Sequence, residues 1–321
     1  MGPPRERPRQ GESRLYMAGG FPYNRLSTMR ADDDFNANEA FAARLKTGDF
    51  QRLSKFIESE LGIKMPPEKK CMLETRLRKR LRILRMKSFG DYLDFVFSPE
   101  GQAVEMVHMM DAVTTNKTDF FREPGHFDYL FQHALPELIT RDGSGITRPM
   151  MVWSAGCSTG EEPYTLAMVL SEFALRVPGL SFQFTVLATD ISSRVLEAAR
   201  RAVYVEDHAE PVPMAFKKKY MLRSRDRDRG LVRITPELRE TVKFRRLNLL
   251  HGDFGFREPL DVIFCRNVLI YFERATQEMV VDHFWRSLRA GGYLFLGHSE
   301  TLAGLNVPFR TMAPTVYLKE G

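Results

Sequence analysis

From residue 150 onward the chain alternates short apolar runs with helical stretches, and this alternation constrains the fold more than any other feature. "MMVWSAG" is a run of buried-strand type, followed by a Gly/Ser/Thr turn and then a helix opening at Glu161. "FQFTVLATD" repeats the scheme ahead of a helix whose N-cap is Ser192. "DVIFCRN" and "GYLFLGHS" are two further runs, with a helical stretch over 274–289 between them. "FRTMAPTVYLK" reads as a closing strand pair. Strands and helices in this order predict an α/β domain over 150–321, built on a parallel sheet wound on both faces. A polar, basic section at 204–246 interrupts the pattern, and "GLVRITPEL" within it predicts a small inserted β-subdomain.

Before residue 150 no strand signal is present. Leu53, Phe56 and Ile57, then Leu73, Leu77, Leu81 and Leu84, recur at helical spacing. Pro66 and Pro67 open the second helix, "SFGDYLDFVFS" gives a third and "QAVEMVHMMDAV" a fourth. A small all-helical N-terminal domain is expected over 36–113, with a linking segment over 114–149. The first 30 residues carry six arginines, two glutamates and no apolar run, so 1–35 reads as a disordered basic arm and not a signal peptide.

The 321 residues, 43% hydrophobic and 27% charged, suit a soluble protein with room for two cores. No apolar stretch approaches the roughly 18 residues of a membrane span, so no membrane insertion is expected. Cys71, Cys157 and Cys265 form no C-x-x-C pair, and the seven histidines show no H-E-x-x-H or similar spacing. Neither a disulfide framework nor a metal site is expected, and the cysteine usage points to the cytoplasm. The net charge of +6 is concentrated between Lys64 and Lys87, where ten Lys/Arg face two acids. On a helical wheel of about 100° per residue, Leu73, Leu77, Leu81 and Leu84 form the core stripe. Lys69, Arg76, Arg80 and Lys87 fall on one flank of it, and Arg78, Arg82 and Arg85 on the other. So lopsided a helix predicts an acidic partner.

Three stretches carry chemistry. "WSAGCSTGEEPYTLAM" is a glycine-rich strand-to-helix loop that is neither G-x-G-x-x-G nor a Walker loop. Glu161 and Glu162 at the helix start would repel a phosphate, which favours a ligand with a cationic centre and ribose hydroxyls. Asp190, closing the second strand, stands where a doubly wound fold receives a ribose. In "FCRNVLIYF", Arg266, Asn267 and Tyr271 follow an apolar strand at the sheet's carboxyl edge. Capping of loops and helices is the plainer role for Asp190 and Asn267, while Cys157 and Cys265 read as small buried fillers. "TTNKTDFFRE" sets small hydrogen-bonding side chains and Arg122 around a phenylalanine pair.

Together with "ATDIS" and "NLL", these stretches occur in the order and spacing of the CheR family, which the chain resembles from about residue 50 to 318. The family consists of chemotaxis-receptor glutamate O-methyltransferases that use S-adenosyl-L-methionine in a Rossmann-like domain. The resemblance implies cofactor contacts at Asn116, Thr118, Arg122, Glu162, Asp190, Asn248, Leu249, Arg266 and Asn267, and places Tyr271 beside the transferred methyl. Arg122 and Tyr271 are the candidate catalytic residues. Arg76, Arg78, Arg80, Arg82 and Lys87 are candidates for docking the glutamate-bearing methylation helices of a receptor. The β-subdomain of relatives binds a tether peptide at a receptor's C-terminus; here "RSRDRDRG" replaces the glycine-containing turn of some members. Nothing calls for an oligomer, and a monomer is expected.

Two other readings compete. A nucleic-acid methyltransferase would use the basic helix, but no N-P-P-Y motif or aromatic-interleaved basic stretch is present. A non-catalytic scaffold would lack Arg122 or Tyr271, and both are there.

Overall fold

In a computed structural model, residues 43–320 are described, apart from 178, 180 and 253; the arm expected at 1–35 lies outside them. The helical spacing of the N-terminal leucines gives α1 (Thr47–Leu61) and α2 (Lys70–Ile83), which bury Leu53, Ile57, Leu73, Leu77 and Leu81 against one another. Pro67 opens the 3₁₀ turn that leads into α2. Ser88 caps α3 (Phe89–Val96) by accepting from the Asp91 N–H. The expected fourth helix is two, α4 (Pro99–Val104) and α5 (Met106–Val113), meeting at Glu105. Gly101 lies so close to α3 that a Cβ there would stand 1.9 Å from the Phe95 carbonyl oxygen.

The break has a cause. Glu105, 2% exposed, accepts from Arg80 Nε at 2.8 Å, Arg80 Nη2 at 2.6 Å and the Tyr92 hydroxyl at 3.0 Å. Removing one partner of a buried pair strands the other charge. Arg80→Ala is therefore expected to destabilise the protein by about 3–5 kcal/mol, read from urea unfolding. A loss under about 1 kcal/mol, as for an exposed pair, would contradict this burial.

Beyond residue 114, α6 (Gly125–Tyr129) and α7 (Leu135–Asp142) join through a π-type turn over Leu130–Ala134. The alternation then unfolds as β1 (Met150–Ala155), α8 (Glu161–Ala174), β2 (Phe184–Asp190) and α9 (Ser193–Arg201). Next come β3 (Val203–Val205), α10 (Met214–Tyr220), β4 (Met221–Arg223), β5 (Leu231–Ile234) and α11 (Pro236–Glu240). The last group is β6 (Val242–Arg246), β7 (Leu260–Cys265), α12 (Arg274–Ser287), β8 (Leu288–Leu296), β9 (Phe309–Ala313) and β10 (Val316–Lys319). The large sheet has the order β6-β2-β1-β7-β8-β10-β9; β10 pairs antiparallel with both neighbours and every other pairing is parallel. Val152 and Phe264 face one core with Tyr164 and Leu170 of α8, while Trp153 and Ile263 face the other with Val280 and Phe284 of α12. Burial on both faces is what the near-continuous apolar runs required.

β3, β5 and β4 form the separate small antiparallel sheet. Its far boundary corrects the expected 204–246. Val242–Arg246 is no part of the insertion but the edge strand of the large sheet, parallel to β2 from Val242↔Val186 to Arg246↔Asp190. Its sequence, VKFRR, hides this because an edge strand leaves alternate positions in water. The order reverses between β1 and β7, which opens a crevice at the carboxyl ends of these strands. Among the described residues no helix is long and apolar enough to cross a membrane.

Candidate active site

Asn116, Thr118, Arg122, Glu162, Asp190, Asn248, Leu249, Arg266, Asn267 and Tyr271 all line one cleft of about 480 Å³ at that crevice. Its volume falls in the range of small-molecule sites. Helical-domain residues Leu61, Met65 and Met72 close its other side. A neighbouring cavity of about 550 Å³, around Arg245, Arg246 and His251, contains only Asn248 of these ten.

The floor is built by backbone turns. Gly156, at φ 81°, and Cys157 both donate to the Thr189 carbonyl, at 2.8 and 2.9 Å, which ties the loop after β1 to the end of β2. A Cβ on Gly156 would lie 2.5 Å from Val268, so the position needs glycine on both counts. Asp190 accepts from the N–H groups of Ser158 and Ser192, each at 2.9 Å. Ser192 caps α9 with its own hydroxyl, so Asp190 is a tie between two loops and not that helix's cap. Burial pushes the Asp190 carboxyl up against the pull of these donors. Burial also pushes the Cys157 and Cys265 thiols up, in keeping with inert fillers.

Arg266, with a side chain only 2% exposed, is a strut. It donates to Glu162 at 3.2 Å, to Glu123 at 3.0 Å and to the Arg122 carbonyl. Burial raises the Glu162 pKa, opposed by Arg266 and by the Ser154 hydroxyl at 2.7 Å. Arg122 sits between two residues in the left-handed region, Phe121 at φ 52° and Glu123 at φ 54°. That conformation is costly for non-glycine residues. It is held by Phe120, packed edge-on to Tyr204 at 4.9 Å, and by the Phe121 N–H on Thr165 Oγ1 at 3.2 Å. The phenylalanine pair therefore fixes the backbone from which Arg122 reaches the cleft.

The helical domain holds the rest. The Asn248 amide donates to the Glu60 carbonyl at 2.9 Å. Ile63 forms an antiparallel bridge with Phe272, and the Lys64 N–H donates to the Tyr271 carbonyl at 2.9 Å. Arg76 donates to the carbonyls of Val113 and Thr114, at 2.6 and 3.1 Å, and to Thr115 Oγ1 at 3.0 Å. Arg78 pairs with buried Glu74, and Arg80 with Glu105. Arg76, Arg78 and Arg80 thus face inward. Arg82 and Lys87 lie at exposed positions, Lys87 beyond the end of α2.

Sequence reasoning missed Glu300 and Glu123, and it placed Lys69 on the basic flank without its role in the cleft. Glu300, buried in the loop after β8, accepts four N–H groups and shapes the turn carrying Asn267, itself at φ 60°. An acid two residues after "GH" at a strand's carboxyl edge was the available signal. Lys69 lines the cleft and donates to the Lys64 carbonyl at 2.6 Å; burial, then Arg76 and Lys64, lowers its pKa.

Two family models match along the chain: the CheR methyltransferase all-alpha domain over 48–114 and the CheR methyltransferase SAM binding domain over 116–318. The chain belongs to the CheR methyltransferase family. It is 37% identical over 271 residues to the "Chemotaxis protein methyltransferase" of Borreliella burgdorferi, covering 84% of this chain and 94% of that one. It is 38% identical over 273 residues to the protein of the same name in Escherichia coli, covering 85% and 91%. A "Chemotaxis protein methyltransferase 2" of Pseudomonas aeruginosa is 37% identical over 269 residues, covering 84% and 92%. The cofactor of this CheR methyltransferase is S-adenosyl-L-methionine, as the second model's description states. The residues fit that group, since a glycine turn too tight for a Cβ, the buried Asp190 carboxylate and the partly buried Glu162 carboxylate suit a cationic nucleoside better than a phosphate.

Proposed function

We propose that this protein esterifies glutamate side chains on the cytoplasmic methylation helices of chemoreceptors, forming glutamate methyl esters and S-adenosylhomocysteine. The observation that carries the reading is the meeting of Arg122 and Tyr271 in a cleft lined, among the described residues, by no histidine. S-adenosyl-L-methionine supplies a methyl carbon on a cationic sulfur, open to in-line attack. A glutamate with a pKa of about 4.3 arrives ionised, so no general base is required. The protein's part is to keep that carboxylate charged where burial would raise its pKa, and to hold oxygen, carbon and sulfur in line at roughly 3–3.5 Å.

Arg122 holds either the cofactor's methionine carboxylate or the incoming glutamate, and Tyr271 orients the methyl centre or the attacking oxygen. Arg266, clamped between Glu123 and Glu162, stiffens the floor from which both act. Asn116, Thr118, Asp190, Asn248, Leu249 and Asn267 are assigned to the cofactor.

Docking of an acidic receptor helix falls to the exposed cations of α2 and its end, Lys79, Arg82, Arg85 and Lys87. The small sheet, with β4 at one edge, is assigned to a receptor tether peptide. Exposed charges are screened over about 10 Å at 0.1 M salt, whereas the cleft's pairs are largely shielded. Raising salt should weaken receptor methylation much more than cofactor binding by calorimetry; equal sensitivity would remove the docking surface.

The reaction itself is tested with tritiated methyl donor and receptor membranes, followed by base. Volatile methanol from labelled receptor supports carboxyl esterification. Label in nucleic acid, or none in any polymer, would falsify it.

A further inference from the structure

Glu123, His126 and His298 converge although the first two lie in the 120s and the third follows β8. Their ligand atoms all lie within 4.8 Å of one another. His126 Nδ1 is 3.5 Å from Glu123 Oε2, and His298 Nε2 is 4.0 Å from the same oxygen.

His126 is 3% exposed, and its Nε2 lies 2.8 Å from Thr315 Oγ1. The Thr315 hydroxyl also reaches the Pro314 carbonyl at 2.7 Å, and when it donates there its oxygen accepts from Nε2–H. The lone pair of a neutral ring is then on Nδ1, which makes no hydrogen bond among the described residues and faces the Glu123 carboxylate. In that tautomer two electron-rich atoms face each other across 3.5 Å, the carboxylate oxygen also accepting from Arg266 Nη2 at 3.0 Å and from the His298 N–H at 3.3 Å.

We propose that Glu123 Oε2, His126 Nδ1 and His298 Nε2 form a binding site for a divalent transition metal of the zinc class. Two imidazoles and a carboxylate are the donor set such ions prefer, and three protein ligands leave a fourth position open. His126 already has the supporting contact of a metal-bound imidazole, its other ring N–H being held by an oxygen. The nearby Arg266 does not forbid a cation, because it faces two carboxylates, Glu123 and Glu162, and the group carries a net negative charge. His298, 62% exposed on its side chain, supplies the small closing movement and the entry path. Sequence spacing hides the site because its third ligand is brought in by the fold. Filling it draws the charge of Glu123 away from Arg266, which lines the cleft. The metal thereby acts as an inhibitor.

The test uses the full chain, stripped with a chelator and titrated with Zn²⁺ against a chromophoric competitor at neutral pH. One equivalent bound at micromolar affinity or better is expected, with His298→Ala weakening it by roughly tenfold or more. His298→Ala is preferred to a change at buried His126 because an exposed ring can be removed without opening the core; circular dichroism verifies the fold. Zn²⁺ should also slow methyl transfer by the unmodified protein and leave the H298A variant much less affected. No uptake at micromolar metal, or uptake indifferent to H298A, overturns the proposal.

Discussion

Arg122→Ala is expected to lower the rate of methyl transfer by about 10²–10³-fold, the usual cost of losing one preorganised charged contact at a reacting centre. The fold should survive. Among the described residues the Arg122 side chain makes one weak hydrogen bond, 3.3 Å to the Lys117 carbonyl, while the surrounding backbone is held by Phe120 and by Thr165. Thermal unfolding should therefore be nearly unchanged, as for substitutions away from the core. Arg122→Lys should recover only part of the rate, because an ammonium cannot reproduce the planar fork that grips a carboxylate in two places. Calorimetry of cofactor binding separates the two assignments: a large loss of affinity places Arg122 on the methionine carboxylate, and near-normal affinity with slow turnover places it on the glutamate. Near-normal transfer by the alanine variant would take Arg122 out of the chemistry altogether.

Glu300→Ala should have the larger effect on stability. One carboxylate accepts from Gly297 at 2.6 Å, Val268 at 2.8 Å, Asn267 at 2.9 Å and Ile270 at 3.3 Å. Each buried donor left unsatisfied costs about 1–3 kcal/mol. With water refilling part of the space, a loss of about 4 kcal/mol is expected in urea unfolding. The turn carrying Arg266, Asn267 and Tyr271 loses its shape as well, so turnover should fall even below the unfolding transition. Glu300→Gln keeps one acceptor oxygen and should fall between. An alanine variant within about 1 kcal/mol of the parent would show that these N–H groups find other partners.

Much of this architecture was legible, for physical reasons that also explain the failures. Runs such as MMVWSA and DVIFC announce themselves because a strand covered on both faces must be apolar throughout. Ten side chains spread from residue 116 to 271 could be assigned to one cleft because each follows a strand end or sits in a motif whose spacing the fold preserves. The basic helix was misjudged because a helical wheel shows only which side a residue faces. Arg76 and Arg80 lie on a flank by that measure, yet the linker carbonyls at 113–114 and the kink at Glu105 approach that flank from elsewhere in the chain. Glu300 escaped notice for the same reason, since its value lies in four N–H groups that only the folded loop gathers. β6 was assigned to the insertion because a half-solvated edge strand carries half the apolar signal.

The contact between residues 60–64 and the loop at 248–272 has a practical outcome. A fragment beginning near residue 115 would keep the sheet but lose the N–H that steadies the Tyr271 carbonyl, the carbonyl that anchors Asn248, and the roof of Leu61, Met65 and Met72. What is left would be an open trough admitting water to the carboxylate that the proposed reaction needs charged yet dry. The two matched segments enclose one cleft, and a fragment lacking the first is expected to lose methyl transfer.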